Sequence, residues 1–341
     1  MDFMAAALAS CLLFVFTSRG SLYCVMLRVM HDKKSAETIS DHLRNSAPRT
    51  LVPIISGDWQ LLYKPEKTGC YVNDHSLIRG LDGRWHLFGI TKATPETAAD
   101  EERYFTYGRG SELITPGGFE EIGIVCNNGV RAWAPSVVTD GRRYFMHYGP
   151  SPMRMATSDE LRHWMEHTPI FHDAPLDSCH RDSMVLRVDD HWLMYATGIH
   201  ERYGVISVFK SSDLVNWTFL KFALRTSGNA PLNPAWGATE SPFVVARDGG
   251  YYLFMTYTDC RVENYHNTLV FYSKDPTEFG EYTGDNENSV IVARIHAHAP
   301  EIVQDTDGRW YITTCGWRNR QVPIEGAVAI APLDWRSCDD R

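Results

Sequence analysis

The chain has 341 residues, 44% of them hydrophobic, enough for a large core in one all-β domain or two smaller domains. Its net charge of −9, from 42 Asp and Glu against 33 Lys and Arg, repels phosphate backbones and anionic lipid and so excludes nucleic acid and membrane surfaces as expected partners. The 8 Cys are scattered with no Cys-x-x-Cys pair, which argues against a zinc site and leaves buried thiols or, in an exported protein, one or two disulfides.

At the N-terminus, Met4 to Phe16 form an apolar run, MAAALASCLLFVF. It is too short to span a bilayer as a helix and has the length of a signal-peptide core. Ser18-Arg19-Gly20 supplies small residues for cleavage, whereas Met1-Asp2-Phe3 carries an acid where a base is expected. Residues 1–20 therefore read as an optional signal peptide, and both a secreted and a cytoplasmic location stay open. Residues 21–57 read as a charged, partly helical N-terminal extension.

From residue 58 to 341 one unit recurs. The five copies are NDHSLIRGLDGRWHLFGIT from Asn73, WAPSVVTDGRRYFMHYG from Trp133, RDSMVLRVDDHWLMYATG from Arg181, TESPFVVARDGGYYLFMTY from Thr239 and HAPEIVQDTDGRWYITTCGW from His298. Aligning Ser76, Ser136, Ser183, Pro242 and Glu301 gives steps of 60, 47, 59 and 59 residues. Each copy alternates apolar and polar residues on both sides of an Asp-Gly or Asp-Asp pair, the pattern of a β-hairpin whose turn needs positive φ. Three copies share a tail, SDELRHW from Ser158, SDLVNW from Ser212 and SKDPTEF from Ser273. The sequon at Asn216 falls inside that tail, so its residues are explained by structure rather than by glycosylation. One hairpin cannot bury both faces, and units of this length stack around a channel. The expected fold is all-β, a five-bladed β-propeller.

The starts of the inner strands should meet at one mouth of the channel. Most are bland, such as Ala134-Pro135 and Ala299-Pro300, but three are acidic: Asp74, Asp182 and Glu240. Placed at equivalent positions of different blades, these carboxylates must converge, and converging like charges are costly unless a function uses them. Two carboxylates flanking a sugar bond are the minimal machinery of glycoside hydrolysis, and a third can tune the proton donor. Glu240 has the longest reach of the three and apolar neighbours in Pro242 and Phe243. It is therefore expected to be the donor with a raised pKa, and Asp74 is expected to stay ionised.

These motifs resemble those of glycoside hydrolase family 43 and its furanosidase relatives, including family 32. The matching residues are Asn73-Asp74, Trp133-Ala134-Pro135, Arg181-Asp182, Thr239-Glu240-Ser241-Pro242 and the tail from Ser212 to Trp217. His75-Ser76 stands where family 32 has Pro-Asn-Gly, and Ser241 stands where family 43 has Gly, so the chain resembles a divergent member. The resemblance implies hydrolysis of arabinofuranosides or xylosides by inversion, with Asp74 as base, Glu240 as acid and Asp182 tuning it. A family-32-like route would instead make Asp74 the nucleophile on a fructofuranoside. A non-catalytic glycan-binding propeller would have lost one of the acids. A phosphorylase would need clustered cations, for which Arg181 is the one candidate.

Asn73, Trp133, His180, Arg181 and His298 are the expected substrate contacts, Trp133 as a stacking platform or as core. No cofactor is required. The resemblance allows a calcium ion at the channel centre with His298 as its protein ligand, although calcium prefers oxygen donors. The expected partner is an oligosaccharide or glycoside, and the oligomeric state is left open.

Overall fold

A computed structural model describes residues 13–16, 22–25, 50–67, 69–92, 102–126, 129–167, 178–228, 238–259, 261, 263–286, 290–317 and 321–337. The expected signal segment and most of the extension lie outside these residues. Contacts divide the chain into residues 1–48 and 49–341. In the first unit, strands β1 (Leu13–Phe16) and β2 (Leu22–Val25) pair antiparallel.

The second unit is a five-bladed β-propeller. Blade I holds β5 (Asn73–Arg79), β6 (Trp85–Thr91), β7 (Tyr104–Gly110) and β8 (Glu120–Val125). Blade II holds β9 (Trp133–Thr139), β10 (Tyr144–Gly149), β11 (Arg154–Ser158) and β12 (Met165–His167). Blade III holds β13 (Ser178–Val188), β14 (His191–His200), β15 (Tyr203–Ser211) and β16 (Thr218–Thr226). β20 (Gly280–Tyr282) adds to its edge in parallel. Blade IV holds β17 (Thr239–Arg247), β18 (Gly250–Tyr257), β19 (Asn267–Ser273) and β21 (Ile291–His296).

Blade V is composite. β22 (Ile302–Gln304), β23 (Trp310–Thr314) and β24 (Val328–Ser337) come from the C-terminal end of the chain. Its outer positions are filled by β3 (Leu51–Ile55) and β4 (Gln60–Tyr63), which pair along successive halves of β24. Residues 51–55, read from the sequence as extension, therefore belong to the last blade. Joining the two ends of the second unit in one sheet covers an edge that would otherwise be open to pairing.

Five apolar clusters hold the blades, one at each interface. Phe88, Phe105 and Tyr107 of blade I meet Tyr144, Met146 and Tyr148 of blade II. Phe145 and Met155 of blade II meet Trp192, Met194 and Phe209 of blade III. Tyr195 and Ile206 of blade III meet Leu253 and Phe271 of blade IV. Tyr252 and Phe254 of blade IV meet Ile312 and Leu333 of blade V. Val303, Tyr311 and Ile330 of blade V meet Leu77, Trp85 and Leu87 of blade I. The ring is thus closed by burial at every seam, the dominant stabilising term.

The hairpin turns fall where Asp-Gly pairs predict them, and Gly83, Gly141 and Gly308 take φ of 78°, 90° and 87°, values open to Gly at little cost. The shared tail is the turn between the third and fourth strands. In blade III, Ser211 Oγ accepts from the Asp213 and Leu214 amides, and Asp213 Oδ1 from the Val215 and Asn216 amides. The Asn216 side chain is itself spent on Asp213 Oδ2 at 2.8 Å.

The inner strands of blades I to IV are bulged near their starts. In blade II, Trp133 pairs Gly149 and Ser136 pairs His147. In blade III, Arg181 pairs Thr197 and Met184 pairs Tyr195. In blade IV, Glu240 pairs Thr256 and Phe243 pairs Phe254. Each of these strands thus carries one residue more than its partner, and in blades II to IV the first bulge residue is left-handed: Ala134 (φ 45°), Asp182 (φ 54°) and Ser241 (φ 49°); Ala299 (φ 44°), ahead of β22, is left-handed too. In blade I a shorter bulge places Asp74 between Asn73, paired to Ile90, and His75, paired to Gly89.

This register corrects the expectation that the three acids hold equivalent positions. Asp182 is equivalent to Ser241, not to Glu240. Glu240 is equivalent to Arg181 and Trp133, the last paired residues before their bulges. Bulges re-aim side chains next to sites, and here they turn Asp74, Asp182 and Ser241 toward the axis.

Candidate active site

The bulge geometry brings the three predicted acids together. Ser241 joins two of them: its hydroxyl donates to Asp74 Oδ1, and its amide donates to Asp182 Oδ2 at 3.1 Å. Arg181 joins the second to the third. Its Nε lies 3.3 Å from Asp182 Oδ2, and its Nη2 donates to Glu240 Oε1 at 3.3 Å. The same Nη2 also donates to the Thr239 carbonyl at 3.2 Å. His298 faces Glu240 from blade V, with Nε2 at 3.6 Å from Oε2. One contact chain therefore runs from Asp74 through Ser241, Asp182, Arg181 and Glu240 to His298. Asp182 is buried behind it, while Asp74 and Glu240 keep partial exposure.

Burial raises the pKa of Asp74, against the opposing pull of His298, the Ser241 hydrogen bond and Arg181, with Glu240 adding repulsion. Burial is also the first cause for Asp182. Arg181 opposes it, and the charges of Asp74 and Glu240 add to it, so the carboxyl is pushed up to about 8. The expected apolar setting of Glu240 is not what its carboxyl meets: the groups touching it are a guanidinium and an imidazole.

The Asp182 shift has a consequence for stability. A carboxyl whose folded pKa lies above its unfolded value contributes stability below the unfolded value of about 3.8, and that contribution is lost as pH rises toward about 8. Asp182→Asn removes this titration. Its melting temperature should fall less between pH 5 and pH 8.5 than that of the wild type, as measured by scanning calorimetry across that range.

The other sequence-predicted residues divide. Asn73 is buried, and its Oδ1 accepts from Tyr265 OH at 3.1 Å. Trp133 is half-buried at the rim, packed against the cluster between blades I and II, with the Arg131 guanidinium 5.6 Å from its ring centroid. Arg181 is buried in the ion pairs above and is not a phosphate anchor.

His180 is not brought to the acids. Its ring is buried within blade III, 3.3 Å from Ser207 Oγ and edge-on to Phe209, and burial lowers its pKa to about 4. Simple alternation would put His180 on the same side as Asp182, two residues on, but the register shifts on either side of Arg181 break that alternation.

His298 is buried with its ring stacked on Tyr265, centroids 3.9 Å apart at 11°. Among the described residues, no three His, Cys, Asp or Glu side chains are grouped to hold a metal ion. A calcium ion needs six to eight oxygens, and His298 Nε2 is turned to Glu240, so these residues do not fit calcium at the channel centre. The described thiols of Cys70, Cys126 and Cys315 are buried.

A cavity of about 30 Å³ lies against Asp74, Asp182 and Ser241, and Glu301 lines it too. Glu301 is not a fourth acid of the cluster. Its Oε2 accepts from the Leu77 amide at 2.6 Å, stitching blade V to blade I, and burial raises its pKa well above the usual carboxylate range.

Some neighbours of the site had no signal in the sequence. Tyr265 lies outside the repeated segments, donates to Asn73 and receives the Trp317 amide at 3.2 Å. Glu102 accepts from Tyr71 OH at 2.5 Å and from Trp317 Nε1 at 3.4 Å, and burial first, with repulsion from Asp74 adding to it, raises its pKa to about 7. Ser241 was visible as a departure from the family motif, but its two hydrogen bonds were not.

Residues 174–338 match the family model for glycosyl hydrolases family 43. Just under half of the chain is thus similar to family 43. A sucrose-6-phosphate hydrolase of Zymomonas mobilis is 22% identical over 244 residues, 64% of this chain and 46% of that protein. The chain thus spans about half the length of this curated relative. Among solved structures, a thermostable family-43 glycoside hydrolase has a TM-score of 0.55 at 17% identity, over 80% of this chain and 92% of that one. A family-32 β-fructofuranosidase of Bombyx mori has a TM-score of 0.58 at 15% identity, over 89% of this chain and 68% of that one. These structural likenesses bear on the fold, and they agree with the five blades described above.

Proposed function

We propose that this protein is a glycoside hydrolase that cleaves furanosides or xylosides, with Asp74 as base, Glu240 as acid and Asp182 as the group that orients and tunes Glu240. The observation that carries the reading is the division of exposure within one linked cluster. Two carboxyls, Asp74 and Glu240, keep access to solvent, and the third, Asp182, is buried behind them on the shared Arg181. A substrate bond must reach two carboxyls, while a tuning group needs only to touch one of them through a neighbour.

Asp182 and Glu240 share Arg181, so a change of charge on one is felt at once by the other. Burial, with repulsion from Asp74 and Glu240 adding to it, pushes Asp182 up to about 8, so Asp182 is the member of the cluster that favours keeping a proton at neutral pH. Inversion is the reading drawn from family 43. A retaining route on a fructofuranoside is the second reading. It is favoured by the sucrose-6-phosphate hydrolase relative and the β-fructofuranosidase neighbour. A non-catalytic glycan-binding propeller is disfavoured by the survival of all three acids in one cluster.

The test is a panel of aryl arabinofuranoside, aryl xyloside and sucrose, with the first-formed anomer followed by proton NMR. Hydrolysis of either aryl glycoside with inverted configuration is the expected result. Retained configuration on sucrose would move the assignment to the second reading, and no hydrolysis across the panel would remove the proposed substrate classes.

A further inference from the structure

We infer that Ser241 is a positioning residue for Asp74, holding one carboxylate oxygen so that the other faces the water to be activated. The inference rests on the catalytic reading above for its purpose, but its geometry stands apart from it. Ser241 is the blade IV member of the bulge ring to which Asp74 and Asp182 belong, so its side chain is aimed at the same point on the axis. Its hydroxyl donates to Asp74 Oδ1 and its amide to Asp182 Oδ2. One residue of a third blade thus sets the separation and orientation of two carboxylates carried by strands of blades I and III.

The backbone gives a second reason to single out this residue. Ser241 holds φ at 49°, a left-handed conformation that is costly for a residue with a Cβ and free for Gly. Ala134 and Ala299 take the same conformation at equivalent positions with no hydroxyl to offer. At residue 241 alone among these three does the strained position carry a donor, and that donor is spent on Asp74. With Oδ1 engaged, Oδ2 is the oxygen left to accept a proton from water, or to attack carbon on the retaining route.

A hydrogen bond to the ionised form of an acid favours that form. The other groups acting on Asp74 come from several elements. Arg181 and Asp182 face it from blade III, Glu240 and Tyr265 from blade IV, and His298 and Cys315 from blade V. Glu102 acts from its own blade. None of these is changed by trimming the Ser241 hydroxyl, so the effect of that change on Asp74 can be read directly.

Ser241→Gly removes the hydroxyl, keeps the amide to Asp182 and relieves the left-handed backbone. Ser241→Ala removes the hydroxyl and leaves the backbone as it is. The Asp74 carboxyl can be followed by carbon-13 NMR in protein labelled at Asp, assigned with Asp74→Asn. Both variants should move its midpoint upward by about one pH unit, in the range expected for one lost hydrogen bond to a charged group. Where the wild type hydrolyses a glycoside, the acidic limb of kcat/KM should move the same way, with kcat reduced roughly tenfold or more.

An Asp74 midpoint unchanged in Ser241→Gly would overturn the inference, and so would a shift in Ser241→Ala alone, which would trace the effect to the backbone. The NMR readout needs no turnover. A wild type inactive on every glycoside would sink the proposed function and leave the Asp74 measurement to decide the role of Ser241.

Discussion

Asp74→Asn should cost at least about a thousandfold in kcat on any glycoside the wild type cleaves, equivalent to about 4 kcal/mol of transition-state stabilisation. The amide keeps the shape of the carboxyl and can still accept from the Ser241 hydroxyl, so the bulge in blade I has no steric reason to relax. What it loses is the ability to take a proton from water or to attack carbon, and no other exposed carboxyl of the cluster stands in blade I to replace it. KM should change far less than kcat, because the hydroxyl contacts of the sugar are untouched. The check is steady-state kinetics with the melting temperature measured in parallel. A fall in kcat below tenfold would mean that Asp74 is neither base nor nucleophile.

Glu240→Gln should separate substrates by their leaving groups. A sugar alcohol is a poor leaving group and needs a proton as the bond breaks, whereas an activated phenolate does not. Loss on a natural disaccharide is expected to be roughly a thousandfold, and loss on an activated aryl glycoside tenfold or less. Arg181 and His298 touch the Glu240 carboxyl, and glutamine can still accept from Arg181, so the variant tests proton donation more than packing. Equal loss on both substrates would take the acid role from Glu240 and give it to another member of the cluster, Asp182 first.

The fold was legible because the repeat states it five times. Asp-Gly turns, alternating strands and a recurring step of 47 to 60 residues are the signals, and the blades fall where they put them. The closure of blade V was not legible in the same way. β3 and β4 pair with β24 across almost the whole length of the chain, and no local pattern announces a partner that far away. Convergence of Asp74, Asp182 and Glu240 followed from the repeat, but their equivalence did not. A β-bulge adds one residue to a strand without changing its composition, so the acids read as equivalent entries of their blades are not equivalent: the register places Asp182 opposite Ser241 and Glu240 opposite Arg181.

His180 shows the same limit on a smaller scale. Two residues before Asp182 in sequence, it points into its own blade, against Ser207 and Phe209. Tyr265 and Glu102 were silent because they lie between the repeated segments and reach the site through long-range contacts. The surroundings of Glu240 were misjudged for a related reason. Pro242 and Phe243 are its neighbours in sequence, while Arg181 and His298 are its neighbours in space.

The central claim is that three carboxyls from three blades act as one catalytic unit on a glycosidic bond. The measurement that tests it most directly compares hydrolysis and binding of one unactivated oligosaccharide by the wild type and by Asp74→Asn, Asp182→Asn and Glu240→Gln. Each variant is expected to bind the sugar within about tenfold of the wild type and to lose turnover by at least about a hundredfold. Turnover at the wild-type rate in any one of the three, with its fold intact, would contradict the account.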